Sequence, residues 1–442
     1  MCTLGRTFLM VVVAIGGLVM GAQGAEKQIT FSANGHDLDN NDNFSPDGKW
    51  LCFDARESIG PGIQHSQFVA MVNIVTGEEV VLYAPPVTVT GSRPAPGCGA
   101  VSFNGSKMEV AFIHGPPVED LAERGPYDFP NRGGGHVMAD GKGEFSWLDH
   151  RDIATDRDTL PGAHRGGTHR HEYSWDGNRI GFTYNDFLMK EYDRTVGYME
   201  PRADAPGGAS HYFVLMVPVV PMGTSKAGAL EKAWGDVWVG RDGSKRAFIG
   251  KVRAADGVSF EQSLFIADVP LDVNITTADS GSATRFPSPP KGITIRRLTH
   301  DWADGTVRGT PDGQWVAYYG KDDEDRNQIF IIKADGSEPA KQATFLPEGV
   351  TEGLRWHPSG DAVLCISNNG VVSTSVVPGD GFGNSTFLTE QGAGQAVTKL
   401  AISFDGTMLA FNKPVETKDE DGNMVKNYLG DDFTQVFVLP YR

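Results

Sequence analysis

The stretch that decides the fold is FSPDGKWLCF, residues 44–53, because its pattern returns six more times along the chain. The other copies are VSFNGSKMEVAF (101–112), YSWDGNRIGF (173–182), WVGRDGSKRAF (238–248), GTPDGQWVAY (309–318), WHPSGDAVLCI (356–366) and ISFDGTMLAF (402–411). Each copy centres on a turn dipeptide that ends in Gly, and glycine tolerates the positive φ of a tight hairpin. Each copy therefore predicts a strand, a turn and a second strand.

A second hairpin lies between successive copies. It is clearest in IFIIKADGSEPAKQAT (329–344) and is echoed at 136–148 and 72–83. Two hairpins make one four-stranded blade, and seven blades of about 60 residues each fit a propeller. The sequence predicts an all-β fold with almost no helix, a single seven-bladed β-propeller over residues 25–442. The stretch 270–291, rich in Ser, Thr and Pro, is expected as an extended loop at the hairpin end of its blade.

The two ends of the chain predict how the ring closes. Outer strands end in short motifs such as RRLT (296–299), and the N-terminal segment KQIT (27–30) has the same form with no blade before it. The C-terminal QVFVLPYR (435–442) corresponds to a third strand with no fourth after it. We expect the N-terminal strand to complete the last blade, which also removes two open sheet edges.

Residues 1–24 have the pattern of an export signal. Arg6 precedes an apolar run at 7–21, and small residues follow it. The run is about 15 residues long, short of the ~20 that span a bilayer. The sequence therefore predicts a signal peptide cleaved between Gly24 and Ala25, a periplasmic or secreted location, and no membrane span in the mature form. An uncleaved anchor is the alternative.

Composition limits the partners. The chain has 39 Lys and Arg against 56 Asp and Glu, a net charge of −17. This acidity argues against nucleic acid and anionic membrane surfaces as ligands, and is compatible with a small-molecule saccharide or an envelope protein. Of the 4 Cys, three (Cys52, Cys98 and Cys365) would remain after removal of the predicted signal peptide, and an odd, sparse set does not make a disulfide framework. We expect a monomer.

The stretch AHRGGTHRHEYS, residues 163–174, leads into the innermost strand of blade 3, which lines the central channel. Side chains alternate along a strand, so His169 and His171 are expected on one side. Two imidazoles begin a site for zinc, manganese or iron. The third ligand stays open among His164, His136, His114, His211 and a carboxylate such as Asp186. Hydrogen-bonded loop histidines without a metal are the alternative.

Arginines share this neighbourhood. Arg170 lies beside the two histidines, and Arg308 and Arg355 occupy comparable inner-strand positions of blades 5 and 6. On an acidic protein, inward-facing guanidinium groups predict a pocket for a carboxylate or another anion. Salt bridges to the many Asp and Glu residues are the alternative interpretation.

Four more residues are candidates for the same site. Glu172 follows the histidines and is expected near the channel mouth. Asn185 and Asp186 end the second strand of blade 3, where they can hydrogen-bond a sugar. Cys98, in PGCG before the inner strand of blade 2, is a candidate soft ligand.

The SPDG-type hairpins and the LT-ending outer strands resemble the TolB-type (WD40-like) propeller repeat across essentially the whole chain after residue 24. The stretch GTHRHEYSWDGNRIGFTYND (167–186) further resembles the YidR-like bacterial family. A His-x-His before an inner strand of such a propeller is similar to oligogalacturonate lyases. The repeat predicts fold and not function, because propellers host unrelated functions.

Two functions follow as hypotheses. The first is an exported, TolB-like propeller that binds a ligand or an envelope partner on its loop-bearing face, around the channel mouth. The second is a metal-assisted lyase acting on uronate-containing oligosaccharides, which the lyase resemblance implies. There His169 and His171 would hold Mn or Zn, and Arg170 or Arg308 would grip the carboxylate whose neighbouring C–H is lost in β-elimination. Arg170, Glu172 and Arg308 are the candidate catalytic residues.

Overall fold

The computed structural model describes residues 25–39, 42–57, 62–392 and 394–441. The predicted signal peptide, residues 1–24, lies outside the described residues. Within the described ranges, no helix has the length and apolarity needed to cross a membrane.

Seven blades form a ring, which confirms the predicted seven-bladed β-propeller. After the N-terminal strand β1 (Lys27–Gln28), blade 1 contains β2 (Trp50–Asp54), β3 (Val69–Asn73) and β4 (Glu79–Tyr83). Blade 2 contains β5 (Cys98–Phe103), β6 (Glu109–His114), β7 (Gly133–Met138) and β8 (Ser146–Trp147). Blade 3 contains β9 (Gly166–Tyr173), β10 (Ile180–Asp186), β11 (Thr195–Pro201) and β12 (His211–Leu215).

Blades 4 to 7 repeat this order. Blade 4 contains β13 (Leu230–Trp238), β14 (Lys245–Arg253), β15 (Phe260–Asp268) and β16 (Thr294–Arg297). Blade 5 contains β17 (Asp304–Gly309), β18 (Trp315–Lys321), β19 (Asn327–Lys333) and β20 (Lys341–Gln342). Blade 6 contains β21 (Glu352–Trp356), β22 (Ala362–Ser367), β23 (Gly370–Ser375) and β24 (Ser385–Phe387). Blade 7 contains β25 (Thr398–Ile402), β26 (Met408–Val415) and β29 (Phe433–Pro440), with a small hairpin of β27 (Thr417–Lys418) and β28 (Met424–Val425) inserted.

Helices are few and short in the described part of the chain, as the sequence predicts. They are α1 (Leu121–Arg124) and four 3₁₀ turns at Ile63–His65, Val118–Asp120, Pro206–Gly208 and Ile275–Thr277. The inner edge of blade 1 is a segment that joins β2 through the isolated bridges Asp37–Asp54 and Phe44–Leu51.

The ring closes as the sequence predicts. β1 pairs antiparallel with β29, with Lys27 opposite Val438 and Gln28 opposite Phe437. Blade 7 is thereby completed as a four-stranded sheet in the order β1-β29-β26-β25. Ile29, which follows β1, is 1% exposed and belongs to the apolar cluster shared by blades 7 and 1. Closure therefore combines strand pairing with burial of an apolar side chain.

The core lies between neighbouring blades, and the second strands of blades 1, 3, 4, 5 and 7 each bury a small residue there. The buried small residues are Cys52, Gly181, Ala247, Ala317 and Ala410. At Gly181 an added Cβ would lie 2.0 Å from Cζ of Arg246, so this position has no room for a side chain. These close approaches are what face-to-face packing of sheets requires.

The inner strands of blades 2 to 7 each contain a β-bulge, which the sequence did not predict. Each has a shift in register against its neighbour, and each contains a residue with positive φ. These residues are Ala100 (53°), Arg170 (63°), Gly235 (65°), Gly305 (76°), Gly353 (79°) and Lys399 (57°). A bulge of this kind breaks the alternation of side chains and re-aims those that follow.

The loop between β15 and β16 leaves the hairpin end of blade 4, where it was expected to stay. Ser280 accepts a hydrogen bond from the backbone N–H of Gly162 at 3.1 Å. Phe286 stacks on Tyr192 with ring centroids 3.9 Å apart, and Tyr192 lies in the connection between β10 and β11. The loop thus crosses to blade 3 and reaches the opposite end of that blade.

Truncation of Ile29 tests the closure. We expect Ile29→Ala to lower the free energy of unfolding by about 2–5 kcal/mol, because it leaves a cavity between blades 7 and 1. Phe31→Ala is the matched control, since Phe31 is 65% exposed and two residues away. Urea unfolding followed by circular dichroism measures both. Equal effects of the two substitutions would contradict the closure described here.

Candidate functional site

The central channel widens into two cavities. The larger, of about 480 Å³, opens at the ends of the inner strands where the longer connections lie, and the smaller, of about 100 Å³, opens between the hairpins. The larger one, called the mouth cavity below, is lined by Leu38, Asp39, His169, Arg170, Trp302, Asp304, Gly305, Thr306, Arg308, Tyr319, Asn327, Thr351, Glu352, Gly353, Leu354, Arg355, Lys399 and Leu400. Arg308 and Arg355 line both cavities and therefore lie between them in the channel.

Arg308 and Arg355 hold equivalent places in β17 and β21, opposite Ala317 and Leu364 of the next strands. Both side chains are 8% exposed. Burial, together with the positive charge of Arg355 and Arg170, lowers the pKa of Arg308 well below its usual range. Burial also lowers the pKa of Arg355 to about 10, with Arg170 contributing. The predicted inward-facing arginines therefore do meet in the channel, where their charges repel.

Two further cations reach the mouth cavity from bulges. Arg170 donates to Oγ1 of Thr306 at 2.8 Å, and Nζ of Lys399 lies 2.6 Å from Oδ1 of Asp39. Both residues have positive φ, a conformation that costs a non-glycine residue about 1–3 kcal/mol. Blades 4, 5 and 6 use glycine at this bulge. Backbone strain thus accompanies the placement of two cationic side chains at the cavity.

Three carboxylates, those of Asp39, Asp304 and Glu352, also line the mouth cavity. Asp39 is held by Arg56 at 2.8 Å as well as by Lys399. Glu172, at the hairpin end, forms an ion pair with Arg246 at 2.9 Å, and burial raises its pKa. Burial and the nearby Glu172 raise the pKa of Asp42 to about 7. The mouth cavity therefore has four cationic side chains, those of Arg170, Arg308, Arg355 and Lys399, against three carboxylates, and the two acids with a raised pKa lie toward the hairpin end.

The bulge at Arg170 separates the two histidines that were expected side by side. His169 lines the mouth cavity, and its Nδ1 lies 3.0 Å from Oγ1 of Thr183. His171 lies toward blade 2 instead, with Nε2 3.0 Å from Oγ1 of Thr168. A Cβ on Gly134 of β7 would come within 2.8 Å of that same nitrogen. Alternation fails because the extra residue of the bulge turns the strand between them.

The other two predicted metal ligands lie in different surroundings. Nε2 of His164 is 3.6 Å from Oδ2 of Asp149, and Nδ1 of His136 is 2.7 Å from Oε1 of Glu109. Among the described residues, no group of three or more His, Cys, Asp or Glu side chains is arranged to hold a metal ion. The donor set therefore does not fit the predicted transition metal, and no reaction step through a metal follows from these residues.

The remaining candidates do not line either channel cavity. Asp186 is buried and accepts from Nη2 of Arg165 at 2.6 Å, and Oδ1 of Asn185 accepts from Nε of Arg194 at 3.1 Å. Cys98 is fully buried, and burial raises the pKa of its thiol well above the usual range. These contacts hold the ends of strands together rather than present groups to a ligand.

His136 takes part in a Ser–His–Glu arrangement between blades 2 and 3. Its Nε2 lies 3.1 Å from Oγ of Ser210, and its Nδ1 contacts Glu109. Acyl transfer would also need N–H donors beside the serine. The backbone N–H groups of Ser210 and His211 already donate to the carbonyls of Trp147 and Leu148, each at 3.0 Å. The arrangement therefore links two blades without the donors a hydrolase needs at that serine.

The sequence did not predict several residues of the mouth cavity. Trp302 and Asn327 lie in or beside connections, and Lys399 lies on a bulge. One signal in the sequence could have pointed to Lys399. It lies in TKLAI (398–402), the inner strand of blade 7, and this strand is equivalent to the one that carries Arg355 in blade 6. Without the bulges, that equivalence does not say which side chains face the channel.

The fold and the site together define a class of protein, a seven-bladed β-propeller whose channel opens through a basic cavity on the face with the long connections. In sequence, the chain is 32% identical over 428 residues to a protein of Escherichia coli (strain K12) described as "Uncharacterized protein YidR", covering 90% of this chain and 97% of that one. The chain belongs to the YidR family. A family model described as "Protein of unknown function (DUF3748)" matches residues 97–205, which include blade 2 and most of blade 3.

Several solved structures align with this chain at low identity. A prolyl endopeptidase structure aligns with a TM-score of 0.50 and 11% identity, over 92% of this chain and 50% of that chain. An oligogalacturonate lyase in complex with manganese aligns with a TM-score of 0.43 and 12% identity, over 80% and 96%. TolB from Acinetobacter baumannii aligns with a TM-score of 0.38 and 12% identity, over 90% and 81%.

The buried histidine of β9 makes a testable contribution to acid stability. Burial, with the positive charge of Arg132 adding to it, lowers the pKa of His171 to about 4, although Asp149 opposes this. Its pKa in the unfolded chain is about 6.5, so below that pH the unfolded state binds a proton that the folded state does not. His171 therefore costs stability progressively as the pH falls from about 6.5 to about 4.

In His171→Gln this cost is absent. The stability advantage of the wild type over the variant should shrink by about 2 kcal/mol between about pH 7.5 and about pH 5. Urea unfolding at the two pH values measures it. His300→Gln, at an exposed histidine, is the control and should show no such change. An advantage that is the same at both pH values would contradict the assignment of His171 as a buried neutral imidazole.

Proposed function

We propose that this propeller binds a carboxylate-bearing ligand in its mouth cavity, and that the ligand is an acidic saccharide. The observation that carries the proposal is the meeting of Arg170, Arg308 and Arg355 in one desolvated channel, where the pKa of Arg308 is held well below its usual range. A carboxylate between them would offset both the burial of positive charge and the mutual repulsion.

Arg308 is the least compensated of the three. Nη1 of Arg308 donates to the carbonyl of Val307 at 2.9 Å, and its Nε has no hydrogen-bond partner among the described residues. The described residues also include no carboxylate within ion-pair distance of it. A planar guanidinium with open donors is suited to bidentate recognition of a carboxylate.

The other residues of the mouth cavity favour a saccharide over a simple anion. Trp302 is 37% exposed, and Nζ of Lys321 lies 5.1 Å from the ring centroid. Tyr319 and Asn327 add a hydroxyl and an amide to the lining. Aromatic faces and a few placed polar groups are what orient ligands in concave sites, and a cavity of about 480 Å³ accepts one to three sugar rings.

Binding without cleavage accounts for more of the site than lysis does. The candidate metal ligands are divided between the channel and the interface of blades 2 and 3. Glu172, a candidate catalytic residue, is paired with Arg246 at the far end of the channel. A concave, basic cavity also favours a small ligand over an envelope protein. The predicted signal peptide would place this binding activity in the periplasm or outside the cell.

The first test removes the central cation. We expect wild-type protein to bind trigalacturonate, and Arg308→Gln to bind it at least about tenfold more weakly, because a charge-assisted hydrogen bond contributes about 1.5–3 kcal/mol. Isothermal titration calorimetry measures both. Arg241→Gln, an exposed arginine on Trp175 at the hairpin end, is the control and should bind like the wild type. No binding by the wild type, or equal binding by Arg308→Gln, would overturn the proposal.

The second test separates saccharide from carboxylate. Trp302→Ala should weaken binding of trigalacturonate about tenfold and leave binding of citrate unchanged, because only the sugar rings would contact the indole. The same titrations measure this, and circular dichroism checks that the variant is folded. Equal losses for both ligands would contradict a saccharide-specific role for Trp302.

A further inference from the structure

A second cavity with basic character lies outside the channel, in the cleft between blades 2 and 3. Its volume is about 240 Å³, and its lining includes Arg124, Arg132, Arg151, His150, His164 and Asp149. It is formed by the connection before β7 and by the segment that joins β8 to β9. Nothing in the proposed channel function uses it.

Three arginines converge on this cleft cavity through one short segment. Nη2 of Arg151 reaches the carbonyl of Pro130 at 3.5 Å, and Nε of Arg124 reaches Oδ1 of Asn131 at 3.4 Å. Arg132 is the next residue and lines the cavity itself. Burial lowers the pKa of Arg151 to about 10, and the positive charge of Arg124 adds to that effect.

The carboxylates nearby do not neutralise Arg132 and Arg151. Oδ2 of Asp120 lies 3.3 Å from Nη1 of Arg124. Asp149 accepts from Thr168 and from the backbone N–H of Gly134. Burial raises the pKa of Asp149, but the neighbouring His164 and His171 outweigh that effect and lower the pKa to about 2. The structure gives neither Arg132 nor Arg151 a carboxylate partner among the described residues. Arg132 donates to the hydroxyl of Tyr127, and Arg151 donates to the backbone carbonyls of Gly166 and Pro130.

Buried donors without partners are the second, independent observation. Arg132 is 1% exposed, and its Nε and Nη2 have no hydrogen-bond partner among the described residues. His164 is fully buried, and its Nδ1 accepts from the N–H of Gly166 at 3.3 Å, which leaves the proton on Nε2. That Nε2 lies 3.6 Å from Oδ2 of Asp149, within ion-pair distance but beyond hydrogen-bond distance. Such donors cost free energy until an acceptor meets them.

We propose that the cleft cavity binds a tetrahedral oxyanion, a phosphate or sulfate group, held by Arg132 and Arg151 with His164 as a further donor. A tetrahedral group offers oxygens in several directions, which suits donors that come from both blades, whereas a carboxylate offers two in one plane. Guanidinium forks match its edges. The cavity is large enough for the oxyanion and a small attached group. The free ion and a phosphate ester share this chemistry.

The test uses full-length protein carrying Arg308→Gln, so that the channel does not compete for the anion. Isothermal titration calorimetry with inorganic phosphate, with sulfate and with glycerol phosphate, at constant ionic strength, measures binding to this background. We expect one anion to bind per chain. Adding Arg132→Gln should abolish detectable binding, and adding Arg151→Gln should weaken it at least about tenfold. Adding Arg241→Gln should change nothing.

Arg151 is half-buried, so Arg151→Gln keeps the proposal testable if Arg132→Gln fails to fold by circular dichroism. Tighter binding of glycerol phosphate than of phosphate identifies an ester as the ligand, and the reverse identifies the free ion. The proposal is overturned if the Arg308→Gln protein binds none of the three anions, or if Arg151→Gln leaves their binding unchanged. Failure of trigalacturonate binding leaves this result unaffected, because the two sites share no residue.

Discussion

Seven inner strands share one narrow channel, and any side chain that faces it loses water together with its neighbours. This constraint explains the shifted pKa values of four ionisable groups in the channel. Arg308 and Arg355 are made less basic, and Asp42 and Glu172 less acidic, with burial as the largest cause in each case. A propeller places charge on its axis only at such a cost, so the charges found there are the best guide to function.

The bulges decide which residues carry that charge. A regular strand would send His169 and His171 to one side, whereas the bulge at Arg170 sends them to different sides. At the bulges of blades 4 to 6 the residue with positive φ is glycine, which adopts this conformation without strain and carries no side chain. Arg170 and Lys399 accept the strained conformation and deliver a cation to the mouth cavity. Local strain that coincides with a candidate site is common in proteins that bind ligands.

The sequence predicted most of the fold, and part of the site, for identifiable reasons. Glycine-centred turns repeat in phase, so the blades and the closing strand follow from local rules. Arg308 and Arg355 were predicted because they hold equivalent places in neighbouring repeats. The separation of His169 from His171 was not, because the register shift depends on contact with the next strand. The cleft cavity depends on long connections, whose paths no repeat specifies.

Closure by β1 has a consequence for how the protein is made. β1 precedes the other described strands along the chain and pairs with β29, which follows them, so β1 stays unpaired until β29 has been synthesised. Until β1 and β29 pair, β29 is an open outer edge of blade 7 and β1 has no sheet to join. Pairing between strands so far apart in sequence is slow, and open sheet edges favour association with other chains. During folding, closure of the ring by β1 therefore competes with association between chains, and in the folded protein the pairing of β1 with β29 covers the open edge.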